Sequence, residues 1–178
     1  FDIGGGSLEI AGGPDEAPDV AWSLPLGAAR LARTHFGSGA PDDEAIRELR
    51  RRIRAEIARD AGHLLRAGAP DTAAATSKTF RSLARICGAA ASSEAPLVPR
   101  ALSLAALSEW IPKLVAMSHD ELAALPGVSP SRAHQVLPGA LVAEACMDIF
   151  DLAELEICPW ALREGVILER LDQLSVLG

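Results

Sequence analysis

"DIGGGSLEI", residues 2–10, decides how the rest of the sequence is read. An aspartate and an isoleucine lead into three glycines and a serine, and from Leu8 to Ile10 the alternation of a half-buried strand resumes. The glycines therefore lie in a turn between two strands, not between a strand and a helix. That placement excludes two familiar phosphate loops. GxxxxGK[ST] is absent, and GxGxxG fails because Glu9 stands where the last glycine belongs. What is left is a side-chain-free turn, Gly4-Gly5-Gly6, able to adopt positive φ and to bring several N–H groups to one phosphate, with the Ser7 hydroxyl as a further donor. Asp2 and Glu9 bracket the turn, and two carboxylates repel a phosphate unless a divalent cation intervenes. Mg²⁺, which takes one or two carboxylates together with phosphate oxygens and water, suits that arrangement. An ordinary hairpin turn needs the same residues, and the local pattern leaves both readings open.

Working outward, "DVAWSLPL" (residues 19–26) is a second extended stretch across the turn Gly12-Gly13-Pro14-Asp15, so the chain opens as hairpins. From Asp42 the period changes. Ile46, Leu49, Ile53, Ile57 and Leu64 share one helical face and Arg47, Arg50, Arg51, Arg54 and Glu56 the other, which predicts a long amphipathic helix capped by Asp42/Asp43 and ended near Gly68-Ala69-Pro70. The Arg-rich face from Arg47 to Arg59 reads as solvated. "DTAAATS" (residues 71–77) is a short buried strand feeding a helix through Ser77-Lys78-Thr79, and residues 89–99 read as a loop.

Helices dominate thereafter. Ser103 starts one, Ser118-x-x-Glu121 has the form of a capping box, and Ser129-Pro130 opens a helix expected to kink at Pro138-Gly139. A strand near residues 155–158 precedes a closing helix with Leu162, Val166, Ile167 and Leu171 inward, Trp160 in the core and Gly165 at a close approach. The order predicts an α/β domain, a mixed sheet flanked by helices.

Composition bounds the function. With 178 residues, 49% of them hydrophobic, the chain can bury a sizeable core as one domain. It has no apolar run of the roughly 20 residues a membrane span needs, so no membrane partner is expected and a cytoplasmic setting is the simplest expectation. A net charge of −7 argues against nucleic acid but leaves room for a local basic pocket. Cys87, Cys146 and Cys158 form no CxxC pair and read as reduced thiols; the four histidines form no metal motif.

A second anion site suggests itself at Thr76-Ser77-Lys78-Thr79, where hydroxyls, a cation and free N–H groups meet at a helix start, although a plain N-cap explains Ser77 and Thr79 equally well. Arg30 in "LPLGAARL" follows the extended stretch within reach of a ligand; taken alone it reads as a solvated arginine.

Taken together and in order, "DIGGGSLEI", "SLPLGAARL", "TSKTFRSLARICGA", "GVSPSRAHQVLPGALV" and "CPWALREGVIL" resemble the second half of the exopolyphosphatase and guanosine-pentaphosphate phosphohydrolase (Ppx/GppA) family, nearest the short actinobacterial exopolyphosphatase type. The resemblance runs from Asp2 to about Leu171. It implies an actin-like, ribonuclease H-like fold of two α/β lobes with phosphates bound between them, residues 1–178 being the second lobe and the first lying outside this chain. It implies that Gly4, Gly5, Gly6 and Ser7 are the second lobe's phosphate loop, with Ser77, Lys78, Thr79 and Arg30 as further phosphate contacts. Asp2 and Glu9 would hold Mg²⁺ or another divalent cation, and the catalytic glutamate would belong to the first lobe. Lys78 departs from the Ser-Gly-Thr that many members carry. The implied reaction releases terminal orthophosphate from inorganic polyphosphate, with the 5′ phosphate of guanosine pentaphosphate as the rival substrate. A non-catalytic binding module and a sugar-kinase-like or chaperone-like ATPase lobe are the other readings. A lobe without its partner exposes cleft surface, so a homodimer is expected.

Overall fold

The computed structural model describes residues 1–15, 17–36, 41–91, 93–94, 98–160 and 162–176. Strands β1 (Asp2–Ile3), β2 (Leu8–Gly12) and β3 (Val20–Leu24) form an antiparallel sheet in that order. Its register sets Asp2 opposite Glu9 and Glu9 opposite Ser23, and Ile3 opposite Leu8 and Leu8 opposite Leu24. Directly opposed residues project to the same side of a sheet. Ile3, Leu8, Ile10 and Leu24 are buried, which leaves Asp2, Glu9 and Ser23 together on the other face.

The chain continues through α1 (Ala28–Leu31) and a π-type turn (Ala32–Phe36) to α2 (Asp43–Leu65). Asp42 caps α2, accepting from the Ala45 N–H at 2.7 Å, and Ile46, Leu49, Ile53 and Ile57 are buried as the period requires. β4 (Ala74–Ala75), shorter than the sequence suggests, leads into α3 (Lys78–Ile86); β5 (Ala101–Ser103) into α4 (Leu104–Ala116). In α5 (His119–Ala124) both halves of the Ser118–Glu121 capping box are formed. A 3-10 turn (Pro130–Gln135), α6 (Val136–Ile149), β6 (Glu154–Ile157) and α7 (Leu162–Val176) complete the chain.

The second sheet is mixed, in the order β4-β6-β5, with β4 parallel and β5 antiparallel to β6. One parallel bridge, Asp2 to Thr76, joins the two sheets, and the Thr76 N–H donates to Phe1 O at 2.8 Å. α6 is mostly apolar and mostly buried, with Glu144 and Asp148 as its charged side chains; it touches α1, α2, α3 and α4. The fold is therefore the α/β class expected, helices packed on a mixed sheet.

Four local expectations need correction. The predicted helix from Ser129-Pro130 is a 3-10 turn to Gln135 and α-helical only from Val136; Pro138 and Gly139 lie in the first turn of α6, where Pro removes no intrahelical hydrogen bond. The Arg-rich face of α2 is not merely solvated, because Arg50 pairs with Glu144 at 3.1 Å and Arg54 with Asp148 at 2.5 Å, both on α6. Trp160, Val166, Ile167 and Leu171 are each more than half exposed, and a Cβ on Gly165 meets nothing within 4 Å. The side chain of Leu162 lies outside the described residues. Finally, β5 lies at residues the sequence leaves without a strand.

Cys87, Cys146 and Cys158 are free thiols, and burial pushes Cys146 up to about 12 and Cys87 up to about 11, so both stay protonated. Among the described residues no helix is long and apolar enough to cross a membrane.

Candidate functional site

The glycine turn is held by its carbonyls. Gly4 O accepts from the Ala28 N–H at 3.0 Å and Gly5 O from the Arg30 N–H at 2.9 Å, so the first turn of α1 fixes the loop from one side. Gly4 N–H donates to Ser7 O at 2.9 Å and closes the turn. The N–H groups of Gly5, Gly6 and Ser7 make no hydrogen bond among the described residues, which leaves three consecutive donors for an anion. None of the three glycines has positive φ, contrary to the usual reason for glycine in a tight turn. Their value is access. A Cβ on Gly6 meets nothing within 4 Å and one on Gly5 meets only Ala29 Cβ at 3.8 Å, so the fold itself tolerates side chains there.

Gly27 is different. A Cβ there would lie 2.2 Å from Gly6 C and 2.3 Å from Ser7 N, backbone atoms that cannot rotate away. Its absence lets the chain entering α1 press directly on the turn. The sequence signal, a glycine immediately before a helix start in "LPLGAARL", was present but carried no assignment.

On the polar face of the first sheet, Glu9 is gripped from two sides. Ser7 Oγ donates to Glu9 Oε1 at 2.5 Å and Ser23 Oγ to the same oxygen at 3.0 Å. The Ser7 hydroxyl is thus spent on orienting Glu9, and Ser23, unmarked in the sequence, shares that task. Across the ladder, burial holds the Asp2 carboxyl above the usual range and Glu9 adds to the effect, against an opposing pull from Arg81. Two facing carboxylates, one of them reluctant to ionise, form a donor set short of positive charge. That chemistry fits Mg²⁺, for which one or two carboxylates suffice when phosphate and water supply the rest. Among the described residues no third His, Cys, Asp or Glu joins them.

The start of α3 closes the site through the Asp2–Thr76 bridge. Ser77 is its N-cap, its hydroxyl accepting from the Phe80 N–H at 3.3 Å, and it has φ +100°, ψ 160°, a region glycine alone visits freely. Lys78 has ordinary helical backbone and is exposed, so the glycine-like conformation falls on Ser77 and the lysine strains nothing. Thr79 is buried, and a Cβ on Gly139 would lie 2.6 Å from Thr79 Cγ2 and 3.7 Å from Ala28 Cβ. Gly139 of α6 therefore lets the starts of α1 and α3 come together. Arg30 is exposed, and its side chain makes no hydrogen bond or ion pair among the described residues. The structure sets Asp2, the glycine turn, Ser7 and Glu9 together, the Arg30 backbone on the turn and the start of α3 beside Asp2 through Thr76, with the Lys78 and Arg30 side chains exposed and Thr79 buried; Gly27, Ser23 and Gly139 are added to the candidates.

A glycine hairpin turn in an antiparallel sheet bridged to a mixed one, with the starts of α1 and α3 beside it, belongs to an actin-like α/β lobe. The chain belongs to the Ppx/GppA phosphatase family, whose model matches residues 1–174. It is 50% identical over 172 residues to exopolyphosphatase 1 of Mycobacterium tuberculosis, covering 97% of this chain and 50% of that one. Its fold matches the crystal structure of an exopolyphosphatase from Cytophaga hutchinsonii with a TM-score of 0.81 at 21% identity, over 97% of this chain and 56% of the other. The Aquifex aeolicus Ppx/GppA phosphatase matches with a TM-score of 0.79 at 23% identity, over 94% and 55%. The chain spans about half the length of these relatives.

Proposed function

We propose that this chain is the second lobe of a phosphohydrolase that releases terminal orthophosphate from inorganic polyphosphate. The observation carrying the proposal is the turn with three consecutive N–H groups unpartnered among the described residues, its Gly4 and Gly5 carbonyls bonded to α1, beside Asp2 and the Glu9 carboxylate that Ser7 and Ser23 orient. In phosphoryl transfer the protein's work is positioning and electrostatic stabilisation. Here the Gly5, Gly6 and Ser7 amides hold phosphate oxygens, Asp2 and Glu9 hold Mg²⁺, and Ser7 and Ser23 keep Glu9 aimed. The cation supplies charge neutralisation on the phosphoryl group. The carboxylate that orients the attacking water comes from the first lobe. Family membership and a half-identical relative named exopolyphosphatase 1 support the substrate class.

The test joins the first lobe to this chain and measures phosphate release from polyphosphate, guanosine pentaphosphate and ATP with and without Mg²⁺. Mg²⁺-dependent release from polyphosphate by the two-lobed protein, with the 178-residue chain inactive alone, is the expected result. ATP turnover without polyphosphate turnover would place the lobe with actin-like ATPases instead.

A further inference from the structure

A cavity of about 170 Å³ lies over α6, between α2 and α4, and no residue of the glycine turn lines it. α2 and α6 carry charge into it in matched rows. Arg50 faces Glu144 at 3.1 Å and Arg54 faces Asp148 at 2.5 Å, and within each helix the two residues stand one turn, about 6 Å, apart. The rows cancel in net charge. Leu104, Leu141 and Ala145 supply apolar surface beside them.

Two acceptors at this cavity lack a full complement of donors. Pro112 lies inside α4, and without an N–H it leaves the carbonyl of Ser108, four residues earlier, without its helical hydrogen bond. Ser108 lines the cavity, and its hydroxyl makes no hydrogen bond among the described residues. Glu144 is the second acceptor. Only 19% of its side chain is exposed, and burial outweighs Arg50 and raises its pKa, so the carboxylate is short of positive charge. The guanidiniums meet their carboxylates through Nη1 and have further N–H donors.

We propose that this cavity binds a small zwitterion of the α-amino-acid class, its ammonium over the α6 carboxylates and toward Ser108, its carboxylate over the α2 guanidiniums, and its side chain on Leu104, Leu141 and Ala145. Laid this way, the ligand's dipole runs opposite to those of the two ion pairs, so its close contacts are between unlike charges. The same rows disfavour an ion of single charge, because each group that attracts it stands beside one that repels it. The site does not depend on the phosphate chemistry of the glycine turn.

The test is calorimetric titration of each standard L-amino acid into the two-lobed protein at about pH 7, with thermal melting as the folding control for variants. At least one binds with a Kd of about 1 mM or tighter. Its N-acetyl and amide derivatives, each lacking one of the two charges, bind at least about tenfold more weakly. Glu144→Gln weakens binding by a similar factor. Pro112→Ala gives the Ser108 carbonyl its helical N–H and weakens binding by about two- to tenfold, without altering any charge in the cavity. The proposal is overturned if no amino acid reaches that affinity, if both derivatives bind as tightly as the unmodified amino acid, or if folded Glu144→Gln or Pro112→Ala protein binds it as the parent does.

Discussion

Substitution at Gly6 and at Gly27 should separate the stability of the turn from its use. A Cβ on Gly6 meets nothing within 4 Å and the backbone there is not left-handed, so Gly6→Val adds no clash and relieves no strain. Its melting temperature should stay within about 2 °C of the parent, less than the shift from 1 kcal/mol in a chain of this size. The valine methyls, however, occupy the space beside three free N–H groups. Blocking even one hydrogen bond to a charged phosphate costs about 1.5–3 kcal/mol, or roughly 10- to 100-fold in affinity. Gly27→Ala is the counter-case, because its Cβ would lie 2.2 Å from Gly6 C and 2.3 Å from Ser7 N. Relieving that overlap by shifting α1 or the turn costs about 3 kcal/mol, and melting should fall by about 6–12 °C. The assay is calorimetric titration of tripolyphosphate with Mg²⁺ into the two-lobed protein, paired with thermal melts. Gly6→Val protein that melts normally and binds tripolyphosphate as tightly as the parent would refute the assignment of the turn amides to phosphate.

Ser23→Ala removes one of two hydroxyls on Glu9 Oε1 and should weaken the Mg²⁺ dependence of phosphate release about tenfold, read from a Mg²⁺ titration of activity. Ser77→Gly relieves a positive φ worth about 1–3 kcal/mol against a few tenths for the lost cap, so melting should rise by about 2–4 °C; a fall would show that the hydroxyl matters more than the backbone. Burial raises the Glu144 pKa, with Asp148 helping and Arg50 and Arg54 only partly opposing. A carboxyl whose folded pKa is raised contributes most below its unfolded value of 4.5, and stability falls as pH rises through the raised pKa. Glu144→Gln should therefore be at least as stable as the parent at about pH 7 in urea melts, despite the lost ion pair, and should lose the advantage near pH 4.

Much of this was legible because the period of the sequence matched the burial that followed. Ile46, Leu49, Ile53 and Ile57 on α2, the Ser118–Glu121 box and the Ser77 cap of α3 are local signals, and local interactions formed them. The candidate site was legible for a different reason: Asp2 and Glu9 flank a short turn, so their juxtaposition needs only the hairpin. What escaped depends on distant partners. Nothing near Arg50 and Arg54 announces Glu144 and Asp148 about 90 residues later, and nothing near Gly139 announces Thr79. Ser23 reaches Glu9 only through the β2–β3 register, set across the intervening turn. The closing helix misled because apolar residues at helical spacing imply burial only where a partner surface covers them, and Val166, Ile167 and Leu171 each stay more than half exposed.

The geometry also assigns α6 a role that its sequence does not announce. An anion site built from two helix starts and a turn works only if all three converge, yet each brings backbone dipoles that must be matched elsewhere. α1 matches the carbonyls of the turn through the Ala28 and Arg30 N–H groups, and the Gly5, Gly6 and Ser7 N–H groups are left without a partner among the described residues. α3 approaches through the Asp2–Thr76 bridge. The distance between the two helices is then set from behind, where Gly139 leaves room for Thr79 Cγ2 on one side and Ala28 Cβ on the other. A helix of ordinary amphipathic character would offer a polar stripe at some point of this contact. α6 instead spends its charged side chains, Glu144 and Asp148, on Arg50 and Arg54 of α2, and with its smallest residue at the crossing it holds both helix starts by packing and leaves the polar groups of the turn and of the carboxylate pair for the ligand.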